Sequence, residues 1–236
     1  VYYLAYGSNL SSSVFQGRRG VRPLSSTPVH VPSLNLCFNL AGIAYIEPCM
    51  ANVYGPSWTQ GLVGVVYEVT PEDYAKIWAT EGGGSSYQDI VVPCYPLPPN
   101  SLSPTADPNT TPIKAHTLFA SDPRMLRPTD PQPSRRYLDL LRTGAREHEL
   151  PKPYVGYLDA LRHYKPTTTR QKVGRVVWAA MWVPVVLAVF GLANLFKEKD
   201  GSSPGWMRKC QEMVFRVMWK CYDNGFKRVF GDGERT

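Results

Sequence analysis

Residues 176–196 run for 21 consecutive positions without a charged side chain. As a helix this stretch would be about 30 Å long, enough to cross the hydrocarbon layer of a bilayer, so its apolar surface has to be covered by something. Pro184, Gly191 and Asn194 interrupt it, and Lys197-Glu198-Lys199-Asp200-Gly201-Ser202-Ser203-Pro204-Gly205 follows as a polar loop. Residues 206–226 then read as an amphipathic basic helix, with Met207, Val214, Val217, Met218 and Cys221 at helical spacing. Two arrangements satisfy this pattern. In one, 176–196 spans or lies in a membrane, helped by the basic helix. In the other, the two segments form a hydrophobic hairpin folded onto the rest of the chain or onto a second copy. Trp178, Trp182, Trp206 and Trp219 suit either, as interfacial anchors or as core residues.

The charge distribution singles out the same region. The net charge is +7, and from Gln171 onward 11 Lys and Arg stand against 6 Asp and Glu, so most of the excess belongs to the tail. A basic tail suits an anionic surface, although a solvated helix face explains it as well. The expectation is therefore membrane contact through 176–196 as one outcome, and no nucleic-acid partner.

The rest of the chain is of ordinary globular composition, 43% hydrophobic and 19% charged, and its 22 Pro and 19 Gly imply many turns. Strands are expected at 1–5, 29–40, 51–53, 62–69, 87–92 and 114–119, of which 62–69 (LVGVVYEV) is the most strongly patterned. A short helix is expected over 10–16, capped by Ser11, Ser12 or Ser13. Further helices are expected at 72–80 (Thr70 as cap, Pro71 in the first turn), at 134–149 capped by Ser134, and at 152–161. Residues 42–50 read as turn-rich, and 93–113 and 124–133 as Pro-rich surface loops.

Five cysteines (Cys37, Cys49, Cys94, Cys210, Cys221) form no CxxC pair, and four histidines (His30, His116, His148, His163) form no HxxxH. Neither a disulfide framework nor a metal site is expected, and a reducing, cytoplasmic setting follows by default. The apolar N-terminus lacks the basic flank and small-residue cleavage site of a signal peptide. The chain opens on Val1 rather than Met, so an upstream piece is expected.

Two motifs carry chemistry. Tyr6-Gly7-Ser8-Asn9-Leu10 follows directly on a strand, where successive backbone N–H groups can form a concave nest for an anion or an amide oxygen. Glu81-Gly82-Gly83-Gly84-Ser85-Ser86-Tyr87 places a carboxylate at a helix end beside three glycines, which let a substrate approach the backbone closely. In a partly apolar pocket such a carboxylate can act as a general base. Taken singly, the first is also an ordinary turn and the second an ordinary helix stop.

Together, and in this order, they resemble the γ-glutamyl cyclotransferase family. Tyr3-Leu4-Ala5-Tyr6-Gly7-Ser8-Asn9-Leu10 stands where that family has YFAYGSNL. Gly64-Val65-Val66-Tyr67 is similar to its GVVW stretch, and Glu81-Gly82 to its catalytic Glu-Gly pair, with Tyr87 as the following aromatic. Pro133-Ser134-Arg135-Arg136-Tyr137 and Gly144-Ala145-Arg146-Glu147-His148-Glu149-Leu150-Pro151 resemble two later family segments. The similarity covers about residues 2–165, and its layout resembles fungal members, some of which trim glutathione adducts in sulfur-rich toxin pathways such as gliotoxin's.

The resemblance implies an α+β fold: a small mixed barrel-like sheet flanked by helices over 1–170, with 171–236 as a helical extension. It implies catalytic Glu81, substrate contacts from Tyr3, Leu4, Ala5, Tyr6, Gly7, Ser8, Asn9, Tyr87 and Tyr137, no metal and no cofactor. The implied reaction releases 5-oxoproline from a small γ-glutamyl amine, dipeptide or glutathione adduct. A ligand-binding protein without turnover, or a membrane-associated interaction protein on the same fold, is the alternative. The Pro-rich stretch 93–113 and the tail lie outside the shared pattern, and 42–50 lacks the family's usual Trp.

Overall fold

A computed structural model describes residues 1–54, 61–80, 87–98, 101–107, 109–196 and 204–236. Its strands are β1 (Tyr2–Ala5), β2 (Ser25–Val31), β3 (Asn35–Ile43), β4 (Glu47–Tyr54), β5 (Leu62–Glu68), β6 (Gln88–Pro96) and β7 (Ile113–Phe119). Its α-helices are α1 (Pro71–Thr80), α2 (Arg135–Glu147), α3 (Lys152–Ala160), α4 (Thr169–Leu195), α5 (Gly205–Cys221) and α6 (Lys227–Phe230).

Five strands close a barrel in the order β1-β5-β2-β6-β7. Strand β1 pairs antiparallel with β5 (Tyr3 opposite Tyr67, Ala5 opposite Val65) and parallel with β7 (Tyr3 opposite His116), so the sheet is mixed. Every residue of β5 from Leu62 to Tyr67 is buried, which explains why its sequence is apolar throughout rather than alternating. The barrel core continues into α2 and α3 through Leu141, Ala145, Tyr154 and Leu158.

The strand expected over 29–40 is in fact two. β2 stops at Val31 and β3 starts at Asn35, because Pro32 has no N–H to offer a ladder and turns the chain with Ser33. β3 leaves the barrel and pairs with β4 alone, as a separate hairpin whose turn is Ala44-Tyr45-Ile46. The turn-rich stretch expected over 42–50 is thus mostly strand. The helix expected over 10–16 is a 3-10 turn (Ser8–Leu10) followed by a π-helical turn (Ser13–Arg18), and Ser12 at its N-cap makes no side-chain cap bond. Ser134 does cap α2: its Oγ accepts from the Tyr137 N–H at 3.0 Å.

The tail packs on the tip of the β3–β4 hairpin. α4 opens with a capping box between Thr168 and Gln171, a T-x-x-Q pattern legible in the sequence. One stripe of α4 is buried, and Trp178 enters a second core with Tyr45, Tyr164, Met218, Trp219 and Tyr222. The Tyr45 hydroxyl donates to the Gly231 carbonyl (2.7 Å), and Trp219 Nε1 donates to the Gly42 carbonyl (3.1 Å). Arg127 ties the same region together: its guanidinium pairs with Asp223 and with the fully buried Glu234, and lies 4.0 Å over the Trp219 ring. The hairpin arrangement therefore holds for one side of α4. The other side is exposed, with Val176 at 67%, Leu187 at 66% and Leu195 at 80%.

Candidate active site

The end of β1 feeds straight into the turn at Gly7-Ser8-Asn9. The first N–H groups of a helical turn find no partner inside it, and here the turn is closed by donors further on, Leu10 N–H to the Gly7 carbonyl and Ser11 N–H to the Ser8 carbonyl. Beside this turn is a small hollow of about 40 Å³, open to solvent, lined by Tyr3, Tyr6, Gly7, Ser8, Asn9, Ala51, Tyr87, Leu118 and Tyr137.

The turn is fixed from several directions. Asn9 is buried; its Nδ2 donates to the Tyr3 hydroxyl (2.8 Å) and its Oδ1 accepts from Arg19 Nε (2.7 Å). Tyr3 is held by a stack that runs through Phe15 to Tyr67, with centroid separations of 6.1 and 4.3 Å. Behind Asn9, the Tyr67 hydroxyl lies 2.7 Å from His148 Nε2 and within 3.4 Å of the Asn9 and Leu10 carbonyls. Gly7 is where the chain must come close: a Cβ there would sit 3.1 Å from the Tyr137 hydroxyl and 3.4 Å from the Ala51 Cβ.

The tyrosines differ in what they can offer. The Tyr6 hydroxyl donates to the Leu118 carbonyl at 2.5 Å, so its proton is engaged with the barrel wall. The Tyr137 hydroxyl accepts from the Ala51 N–H at 3.1 Å. The Tyr87 hydroxyl reaches the Ala51 carbonyl at 3.5 Å. Ala51 on β4 thus positions two tyrosines from other elements through its backbone. Backbone groups carry no side-chain signature, and for this reason Ala51 and Leu118 were not legible as site residues.

Leu4 and Ala5, expected as substrate contacts, are buried in the barrel wall and are not among the residues lining the hollow. The Leu4 carbonyl accepts from Thr117 Oγ1 (2.9 Å), and Ala5 pairs with Val65. Glu81, with the Gly82-Gly83-Gly84-Ser85-Ser86 run, lies outside the described residues. Helix α1, which ends at Thr80 just before this run, packs Tyr74 against Tyr3 (centroids 6.4 Å apart), and Tyr87, just after it, lines the hollow. Among the described residues, no carboxylate, imidazole or amine lines the hollow. The Cys94 thiol, pushed up to about 12 by burial, is no nucleophile near neutral pH.

His148 is held neutral. Burial lowers its pKa, and the Glu147 charge opposes this only in part. The unfolded chain takes up this proton near pH 6.5 and the folded protein at a lower pH. Folding stability is therefore unaffected by His148 above that value and falls as the pH drops below it. Thermal melts between about pH 8 and about pH 5 are expected to show a falling Tm on the acid side, with a shallower fall in His148→Gln. Equal slopes for the two proteins would remove His148 from this account.

Comparison with known proteins shows what the chain is similar to. The AclK C-terminal domain matches residues 168–229. A γ-glutamyl cyclotransferase gliK from Aspergillus fumigatus is 33% identical over 99% of this chain and 89% of its own length. A γ-glutamyl cyclotransferase aclK from Aspergillus oryzae is 29% identical over 99% of this chain and 90% of its own. Among solved structures, a γ-glutamyl cyclotransferase shares the fold with a TM-score of 0.55 and 18% identity, over 75% of this chain and 98% of that one.

Proposed function

The chain belongs to the γ-glutamyl cyclotransferase family, and from that premise we propose that it closes a γ-glutamyl group into 5-oxoproline and frees the attached amine, without metal or cofactor. The substrate's α-amine nitrogen attacks its own γ-carbonyl carbon, forming a five-membered lactam. The γ-amide C–N bond breaks, and the departing nitrogen takes up a proton. Because nucleophile and electrophile belong to one molecule, catalysis is chiefly a matter of holding the bent conformer and moving protons.

The observation that carries this reading is the hollow. It draws Tyr3, Tyr6, Gly7, Ser8, Asn9, Tyr87 and Tyr137 from distant parts of the sequence to one place. In our assignment the N–H groups of Gly7, Ser8 and Asn9 receive the substrate carboxylate or the oxyanion that develops on the γ-carbonyl. Tyr137 donates a hydroxyl hydrogen bond, while Tyr3, Tyr6 and Tyr87 form the walls. Glu81 accepts a proton from the attacking amine and returns it to the leaving nitrogen. Residues 1–170 carry this reaction and 171–236 form a separate helical unit. In support, α4 begins at Thr169 and the AclK C-terminal domain match begins at residue 168.

The opening of the hollow to solvent leaves room for a leaving group to project outward, which suits a glutathione adduct of the gliotoxin type in a fungal secondary pathway. Five free thiols suit a reducing, cytoplasmic compartment. The test is to incubate the protein with glutathione, S-conjugates of glutathione and γ-glutamyl dipeptides, and to follow 5-oxoproline by mass spectrometry. We expect release from at least one of these, with the conjugates best. Binding of all three without release would turn the reading into that of a ligand-binding protein.

A further inference from the structure

We propose that the exposed faces of α4 and α5 form one surface that docks the protein, side-on, on a lipid bilayer rich in anionic headgroups. The proposal concerns the tail alone and does not depend on how the hollow works.

Helix α4 buries only one stripe, through Trp178, Val186, Val189 and Ala193. The remainder of its circumference from Val176 onward is solvent-facing and uncharged, including Met181, Val185, Leu187, Phe190, Leu192 and Leu195. Only 17% of the most apolar part of Thr169–Ala193 is buried. A continuous apolar strip along a helix about 40 Å long is far more than scattered surface hydrophobics, and such patches mark interaction sites.

The strip does not stop at α4. Phe196 meets Trp206 at 5.4 Å, which joins the exposed faces of the two helices, while Phe190 meets Phe215 edge-on at 6.4 Å on the side of α5 turned away from that face. On α5 the exposed residues are Trp206, Lys209, Met213, Arg216, Val217 and Lys220, and their spacing puts all six on one face. Apolar and basic side chains interleaved on one face are what a helix lying at a headgroup boundary presents.

Charge decides the occupant. Helices α4 and α5 carry Arg170, Lys172, Arg175, Arg208, Lys209, Arg216 and Lys220 against a single acid, Glu212. A second copy docked through the same patch would bring two basic faces together, since a two-fold contact is self-complementary. An anionic bilayer accepts both the apolar strip and the cations. With Trp178 locked into the core against Tyr45 and Tyr222, the first third of α4 is tied to the body, and the helix lies on the membrane instead of crossing it alone.

The full chain should float with phosphatidylcholine vesicles containing about one-third phosphatidylserine, bind phosphatidylcholine alone weakly, and release as salt rises. Lys209→Gln, Arg216→Gln and Lys220→Gln together should weaken partitioning to the anionic vesicles about 100-fold. Leu187→Ser with Leu195→Ser should abolish it, with melting temperature and 5-oxoproline release unchanged, as these residues are among the most exposed of α4. No preference for the anionic vesicles, or full binding by both variants, would overturn the proposal. So would a protein that ignores vesicles and forms dimers broken by Leu187→Ser and Leu195→Ser, since a second copy would then be the occupant.

Discussion

Replacing Gly144 by alanine is expected to lower the melting temperature by about 5–10 °C and to cut turnover with it. On intrinsic grounds the change should help: Gly144 is in the last turn of α2 (Arg135–Glu147), and within a helix alanine is favoured over glycine by up to about 1 kcal/mol. Packing reverses the sign. A Cβ at this position would come within 2.4 Å of the Leu10 carbonyl carbon, 2.5 Å of the Leu10 Cβ and 2.6 Å of the Leu10 carbonyl oxygen. Two of these three atoms are backbone and cannot swing aside, so α2 and the loop that follows β1 must separate. Forced overpacking of this kind costs about 1–3 kcal/mol. The loop that moves is the one bearing Gly7, Ser8 and Asn9, and α2 also carries Tyr137, so misplacement reaches both sides of the hollow at once. Differential scanning calorimetry with steady-state kinetics on the variant checks this. An unchanged or raised Tm would show that the contact is looser than described.

Much of this arrangement was legible beforehand, for identifiable reasons. β5 was plain because a strand buried on both faces reads as an unbroken apolar run, and α1 and α2 because Thr70-Pro71 and Ser134 mark their starts. The hollow's walls were legible where side chains form them, at Tyr3, Tyr6, Tyr87 and Tyr137. They were not legible at Ala51 and Leu118, which act through a backbone N–H and backbone carbonyls. The break between β2 and β3 was missed because the alternation at Leu34, Leu36 and Phe38 was extended back over Pro32, where its phase in fact shifts from that of Val29 and Val31. Leu4 and Ala5 were included because they belong to the same motif as Tyr3 and Tyr6. The structure sets those two residues in the barrel wall, where the strand ladder and core packing occupy them. The tail posed a different problem: periodicity shows that α4 has an apolar surface but not which stripe meets Tyr45 and Trp219, since that contact is made with a hairpin more than a hundred residues away.

The central claim is that Glu81 moves the proton in this hollow. The attacking amine is an ammonium at neutral pH and is inert until it loses a proton, and the departing nitrogen is a poor leaving group until it gains one. Among the described residues the hollow contains tyrosine hydroxyls, an amide, a serine and backbone groups, none of which is a base near neutrality. Glu81 follows Thr80, the last residue of α1, directly and precedes the pocket-lining Tyr87 by six residues. Glutamine keeps the size and hydrogen-bonding shape of the side chain and removes its basicity. The measurement is therefore 5-oxoproline release by Glu81→Gln beside the unaltered protein, at saturating γ-glutamyl substrate. The account predicts a fall in kcat of about 10²–10⁴-fold, with KM and melting temperature little changed. Release by Glu81→Gln at a rate close to that of the unaltered protein would contradict it.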